Sequence, residues 1–384
     1  MKYDFLIVGA GFSGLVLGER LSNELGKTCL VIDRRNHIGG NAYDEHDAAG
    51  VLVHRYGPHY FRTNSRKVID YLSRFTEWHH VDYKVLSFTE GRYWSFPVNL
   101  RTFEQMLGRA STTGEFEAYL AGKREKIDAP QNSEEVIVSQ VGWELYEKFF
   151  KNYTLKQWRR HPRELDASVC GRIPLRTNRD DRYLSEGFQA LPKEGYTALF
   201  RKMIAASPRM TVRLGACFQE IKKAVEYGFL IFTGPIDEYF DYCLGRLPYR
   251  SLRFEPETHG AEELKKRESV SGKKGFWQPE MQVNYPDPDV PYTRTVEIKH
   301  ATGQECDNTT VVREYPEEYG PGREAYYPVP TQESAALYRE YEQLASKEND
   351  VLFTGRLGTY RYYNMDQVVA MALTQFEKLR MRFP

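Results

Sequence analysis

The chain opens on an apolar run without alternation. Tyr3-Asp4-Phe5-Leu6-Ile7-Val8 predicts a strand buried on both faces of a parallel sheet. Gly9-Ala10-Gly11-Phe12-Ser13-Gly14 follows, and then a helical pattern carrying Leu15, Leu17, Leu21 and Leu25. A second apolar strand, Thr28-Cys29-Leu30-Val31-Ile32, ends on Asp33. Residues 51–56 read as a strand after Gly50, and Ser65 caps a helix with Val68, Ile69 and Leu72 on one face. Residues 81–96 alternate like a hairpin turning at Glu90-Gly91. From 101 to 160 the strands stop, and Val136, Val141, Leu145, Phe149 and Phe150 fall roughly on one helix face. Periodicity disappears over 161–187. A helix at 195–206 and strands near 211–214 and 229–233 return toward the opening pattern. Strands are expected at 250–254, 281–285, 292–299 and 309–314, with the very polar 257–275 as an exposed loop. A helix over 333–346, a buried strand 351–356 and a last helix with Val368, Val369, Met371 and Ala372 close the chain.

This alternation gives an α/β fold class: a Rossmann-like domain, a helical insertion and a separate antiparallel sheet. The expected boundaries are 1–78, 195–245 and 331–384 for the discontinuous nucleotide domain. Residues 97–194 form the helical insertion, and 79–96 with 246–330 the sheet domain.

Composition changes the picture little. Lys+Arg and Asp+Glu balance at 53 each in 384 residues, so no bulk charge points to nucleic acid or a membrane surface. The five cysteines form no Cys-x-x-Cys pair, which suits a reducing cytoplasm better than a disulfide framework. No metal-spaced cluster, signal peptide or membrane-spanning run is read, so no metal and no membrane insertion are expected.

The chemistry is concentrated at the start. Strand, Gly-x-Gly-x-x-Gly, helix is the dinucleotide-binding turn, with Gly9, Gly11 and Gly14 in the three glycine positions and Phe12 and Ser13 opening the helix. Phosphates sit on the helix N-terminus. Asp33, about twenty residues on, accepts from ribose hydroxyls. Arg34-Arg35-Asn36-His37-Ile38-Gly39-Gly40-Asn41 adds a second glycine pair, which lets backbone approach a longer cofactor and favours FAD over NAD. Residues 161–187 contain Arg172, Arg176, Arg179 and Arg182 in a long aperiodic stretch, which reads as a phosphate-binding lid.

Several ordered stretches carry a family resemblance. They are Gly-Ala-Gly-Phe-Ser-Gly (9–14), Arg-Asn-His-Ile-Gly-Gly-Asn (35–41), Tyr-Gly-Pro-His-Tyr-Phe-Arg-Thr-Asn (56–64) and Phe-Pro-Val-Asn-Leu (96–100). Further on come Tyr-Thr-Leu-Lys-Gln-Trp (153–158), Gly-Arg-Leu-Pro-Tyr-Arg-Ser-Leu (245–252), Val-Pro-Tyr-Thr-Arg (290–294), Tyr-Tyr-Pro-Val (326–329) and Gly-Arg-Leu-Gly-Thr-Tyr-Arg-Tyr-Tyr-Asn-Met (355–365). Together they resemble the UDP-galactopyranose mutase family over nearly the whole length. The resemblance implies an FAD domain, a helical insertion and a six-stranded sheet. It also implies interconversion of pyranose and furanose UDP-sugars with no net redox change, by attack of reduced flavin N5 on the anomeric carbon.

The resemblance also assigns residues. Arg172 and Arg294 hold the diphosphate, with Tyr183, Tyr327 and Tyr362 donating hydroxyls. Phe149 and Tyr153 take the uracil, Trp158 walls the sugar, and Arg250 and Asn284 lie near sugar or flavin. His59, Arg356 and Met365 contact FAD, alongside the Gly9–Gly14 turn, Asp33, Arg34, Gly40 and Asn41. Two departures stand out: Arg62 replaces the family's usual His, and Asn364 its usual Asp. Variants accepting 2-acetamido sugars resemble this chain in having Arg, so UDP-N-acetylgalactosamine is expected beside or ahead of UDP-galactose. The resemblance further implies a homodimer and an external reductant such as NAD(P)H or a reductase. The competing readings are an amine-oxidase-type flavin oxidoreductase and a non-catalytic UDP-sugar-binding flavoprotein.

Overall fold

The computed structural model describes residues 2–320 and 322–384. Its first sheet has five strands in the order Met210–Arg213, Cys29–Ile32, Lys2–Val8, Glu226–Phe232 and Val351–Phe353. Every pair is parallel. Phe5, Leu6, Ile7 and all four residues of Cys29–Ile32 are buried, as unbroken apolar runs require when helices cover both faces. Helix Phe12–Leu25 leaves the C-terminal end of the first strand and packs beside the last helix, Met365–Arg382. The strand order places residues distant in sequence around one sheet end.

The second sheet runs Tyr327–Pro328, Tyr249–His259, Thr309–Glu318, Arg294–Val296, Gln282–Asn284, Val85–Thr89 and Arg92–Phe96. It thus has seven strands, the seventh being the two-residue edge Tyr327–Pro328. One pair is parallel, Gln282–Asn284 beside Val85–Thr89, because the early hairpin joins the later strands from a different part of the chain. The hairpin turns at Glu90-Gly91, both with positive φ, as its sequence demands.

Two expectations are corrected here. The strand expected at 250–254 continues to His259, and most of the polar stretch 257–275 is helix Ala261–Ser271 rather than loop. That helix has Glu262 and Glu263 in its first turn and a left-handed Gly272 stop, both good helix signals. Its only large buried anchor is Leu264, so it shows almost no apolar stripe to read. Helices Leu100–Leu107, Thr113–Lys123 and Ser133–Leu145 do dominate 100–158, the last running on through a π-type turn at Tyr146–Lys151 into Asn152–Trp158. No helix among the described residues is long and apolar enough to cross a membrane.

Candidate functional site

A cleft opens where the first sheet's strands end. Gly9, Gly11, Phe12, Ser13, Asp33, Arg34, Gly40, Asn41, His59, Arg356 and Met365 all line it. Of the residues expected to hold the cofactor only Gly14 lies behind the wall, where the helix crosses the strand: a Cβ there would sit 1.9 Å from Gly9 O.

These residues suit a dinucleotide. Helix Phe12–Leu25 has no side-chain cap and no acid in its first turn, so its leading N–H groups face an open end. Two glycine loops meet there, with Gly39 N donating to Ala10 O at 2.7 Å, and a Cβ on Gly11 would lie 3.6 Å from Gly40 Cα. Asp33 sits beside the turn, Oδ2 accepting from Ala10 N and Oδ1 from Arg35 N, both at 2.9 Å. A carboxylate held at two points keeps lone pairs for ribose hydroxyls. Arg34 and Arg35 both reach Glu324, bridging the cleft's rim.

His59 lies further along the wall. Its Nδ1 faces the acceptor Gly57 O at 2.9 Å and so carries the proton, leaving Nε2 as an acceptor. Desolvation, with His54 beside it, pushes its pKa down to about 3, so the ring is neutral near pH 7.

Beyond His59 stands a second group of side chains. The Arg356 guanidinium lies over the rings of Tyr327 and Tyr362, 5.5 and 5.3 Å from their centroids. Those two rings stack at 5.4 Å, and Trp158 lies 6.4 Å from Tyr327. From the aperiodic stretch, Arg172 reaches over Tyr362 at 4.6 Å. Tyr362 and then Tyr183 raise the Arg172 pKa. Desolvation opposes ionisation of Tyr362, but Arg172 and Arg356 overcome it and hold the phenol at about 8. Arg294 enters from the second sheet, with Nε and Nη2 on Glu314 Oε2 at 2.9 and 2.8 Å. Although desolvation works against it, Glu314 holds the Arg294 charge firmly. Tyr153 is close enough to both for Arg294 and Glu314 to act on its phenol.

Other expected residues have contacts of their own. Arg176, Arg179 and Arg182 are occupied locally: Arg176 donates to the Arg182 and Leu184 carbonyls, Arg179 pairs with Glu104 and Arg182 with Asp180. Of the four arginines in 161–187, Arg172 alone joins the tyrosine cluster. Phe149 is core, its ring 5.7 Å from Trp94 and 6.2 Å from Phe96. Buried Arg250 donates from Nε to Gln157 O at 3.2 Å. Asn284 is buried on its strand, its Oδ1 accepting from Gln282. Arg62 pairs with Glu186 at 3.1 Å, and Asn364 caps the last helix. Sequence reasoning missed 216–219, 233–235, Glu238 and Glu324-Ala325, which also line the cleft. Gly234-Pro235 after an apolar strand was the available signal, since it marks another strand end at the same sheet edge.

Comparison with known proteins agrees with this geometry. The family model described as UDP-galactopyranose mutase matches residues 148–362, and one for an NAD(P)-binding Rossmann-like domain matches 7–75. A probable UDP-galactopyranose mutase of Klebsiella pneumoniae is 38% identical, covering 96% of this chain and 93% of its own length. The dTDP-fucopyranose mutase of Escherichia coli is 35% identical, covering 96% of each. A crystal structure of reduced UDP-galactopyranose mutase superposes with a TM-score of 0.74 at 18% identity, covering 99% of this chain and 96% of that one, which speaks for the fold. The chain therefore belongs to the UDP-galactopyranose mutase family, is an enzyme of the isomerase class, and takes FAD as the dinucleotide its cleft is built for.

Proposed function

We propose that this enzyme interconverts the pyranose and furanose forms of a UDP-hexose, UDP-galactose first, with no net redox change. The observation that carries the reading is the cluster of Arg172, Arg294 and Arg356 with the phenols of Tyr153, Tyr183, Tyr327 and Tyr362, next to His59 and Met365 on the cofactor cleft. Guanidinium groups pair strongly with diphosphates, and a cationic cluster beside a flavin site needs an anionic substrate to explain it. Reduced FAD, when bound, supplies a nucleophilic N5 for the anomeric carbon.

The chain's own residues do the rest. Arg172 and Arg294 grip the diphosphate and keep the departing nucleotide close, with Tyr183, Tyr327 and Tyr362 donating to its oxygens. Tyr153 takes the base over a floor packed from Phe149, and Trp158 walls the sugar. Neutral His59 presents Nε2 as an acceptor toward the cofactor. Residues 161–187 act as the lid that carries Arg172 in and out. The three-part division of the chain, a homodimer and NAD(P)H-dependent reduction are carried with the same reading.

UDP-N-acetylgalactosamine is the second substrate in this proposal, and Arg62 its selector. Arg62 already has a partner in Glu186, so it would exchange that carboxylate for the acetamido carbonyl. A dTDP-deoxysugar is the alternative favoured by the 35% identity to the dTDP-fucopyranose mutase. The deciding experiment is anaerobic incubation of dithionite-reduced enzyme with UDP-galactose, UDP-N-acetylgalactosamine and dTDP-fucose, products being separated by chromatography. A furanose product that needs reduced flavin supports the proposal. Net substrate oxidation would point to the oxidoreductase reading, and UDP binding without turnover to the non-catalytic one. Arg62→His should lower the ratio of acetamido-sugar to galactose turnover by about tenfold; an unchanged ratio rejects the selector role.

A further inference from the structure

Helix Asn152–Trp158, which carries Tyr153 and Trp158, continues the helical run of Tyr146–Lys151 and ends at a left-handed Arg159. Lys156, between Tyr153 and Trp158, ties that end of the helical run to the second sheet. Its Nζ donates to the carbonyls of Tyr285, Asp287, Val290 and Tyr292, the last three at 3.0, 3.0 and 3.1 Å. All four oxygens belong to one loop. That loop joins strand Gln282–Asn284 to strand Arg294–Val296, and it is closed by Asn284 pairing with Arg294 and by Tyr285 N donating to Thr293 O at 2.8 Å.

Four carbonyls turned toward one point repel each other unless a cation sits among them, and the helix delivers that cation. An ammonium has three hydrogens, so at least one is shared. Burial pushes the Lys156 pKa down to about 8, with the Asp287 charge opposing, so the charge is kept at neutral pH. A second tie acts on the same helix, where Arg250 on strand Tyr249–His259 donates to Gln157 O.

We propose that Lys156 is a positioning residue for nucleotide-sugar binding: by closing the 285–292 carbonyl ring it fixes the Tyr153 and Trp158 wall relative to Arg294. The inference rests on the function proposed above. The ammonium sets the spacing between this helix and the loop of the second sheet. Lys156 touches no substrate atom in this role. Its loss therefore weakens binding of the nucleotide in ground and transition states alike, which raises KM and leaves kcat nearly unchanged.

The test uses FAD-loaded enzyme, with UDP titrated against intrinsic tryptophan fluorescence and KM and kcat measured on the reduced form. Lys156→Met keeps the length and apolar stem and removes the donors. It is expected to retain FAD and a normal flavin spectrum, to weaken UDP binding and raise KM by about tenfold, and to change kcat by less than about twofold. Lys156→Arg keeps a cation with several donors and should stay within about threefold of the parent. Unchanged UDP affinity in Lys156→Met overturns the inference, as does an equal loss in both variants. So does a Lys156→Met chain that cannot fold or hold FAD, because Lys156 would then support the whole fold. Parent enzyme that binds no UDP at all removes the proposed function and this inference together; parent that binds beside an unaffected Lys156→Met removes this inference alone.

Discussion

Single side chains here have chemistry set by their neighbours. Tyr362 is about 40% exposed, yet Arg172 and Arg356 hold its phenol at about 8. An absorbance titration at 295 nm should therefore show one tyrosinate forming near pH 8, missing in Tyr362→Phe. Bound UDP should push that step upward, because a diphosphate competes for the same guanidinium charge. No early step, or one unmoved by UDP, would separate Tyr362 from the anion site. His54 makes a different case. Burial pushes its pKa from 6.5 down to about 3, and its Nδ1 must stay unprotonated to accept from His59 N at 3.0 Å. Between those values the unfolded chain binds a proton that the folded chain refuses. Stability from this group is thus complete above pH 6.5 and falls as pH drops toward 3. At pH 5 the loss is about 2 kcal/mol. Urea unfolding of the parent and His54→Gln at pH 7 and pH 5 checks it: the variant, less stable at pH 7, should lose less between the two.

At the scale of elements, the strand–turn–helix at the N-terminus separates packing from binding. Gly14 is needed for packing, since a Cβ would meet Gly9 O at 1.9 Å and Ile7 at 3.1 Å. Gly11 is not: its φ is −91° and its Cβ would make ordinary contact at 3.6 Å. Gly11→Ala should therefore melt within a degree or two of the parent as apoprotein, yet bind FAD at least tenfold more weakly, because the methyl occupies the pyrophosphate's approach. Gly14→Ala should lose about 1–3 kcal/mol of stability in the apoprotein. Equal FAD affinity in Gly11→Ala would mean the dinucleotide lies elsewhere. This element was legible in sequence because its strand, glycines and acid are local. The 161–187 stretch was legible only in part. Four arginines in one aperiodic run look alike; Arg176 and Arg182 find partners inside it, whereas the partners of Arg179 and Arg172, Glu104 and Tyr362, lie far away in sequence. Helix Ala261–Ser271 stayed hidden because one buried leucine gives no period.

Across the whole molecule, the cofactor cleft belongs to no single stretch. Its wall takes residues 8–9, 11–13, 33–35, 39–42 and His59 from the first sixty, 216–219, 232–235 and Glu238 from the middle, and Glu324-Ala325 with 355–357, Met365 and Val368 from the end. The parallel order of the first sheet brings these strand ends together, which no window of sequence can display. A ligand bound there clamps segments more than 300 positions apart, so its binding energy is shared among them. At a hundred times its dissociation constant, FAD should stabilise the chain by about 2.7 kcal/mol, since it binds the folded form only. The distribution of that gain discriminates more than its size. Hydrogen exchange on apoprotein and FAD-loaded protein should show slowing at 9–14, at 216–219 and at 355–368 together, with the exposed helix Ala261–Ser271 unchanged. Slowing confined to the first forty residues would mean that the opening turn binds the nucleotide alone, and that the middle and C-terminal walls only pass close by.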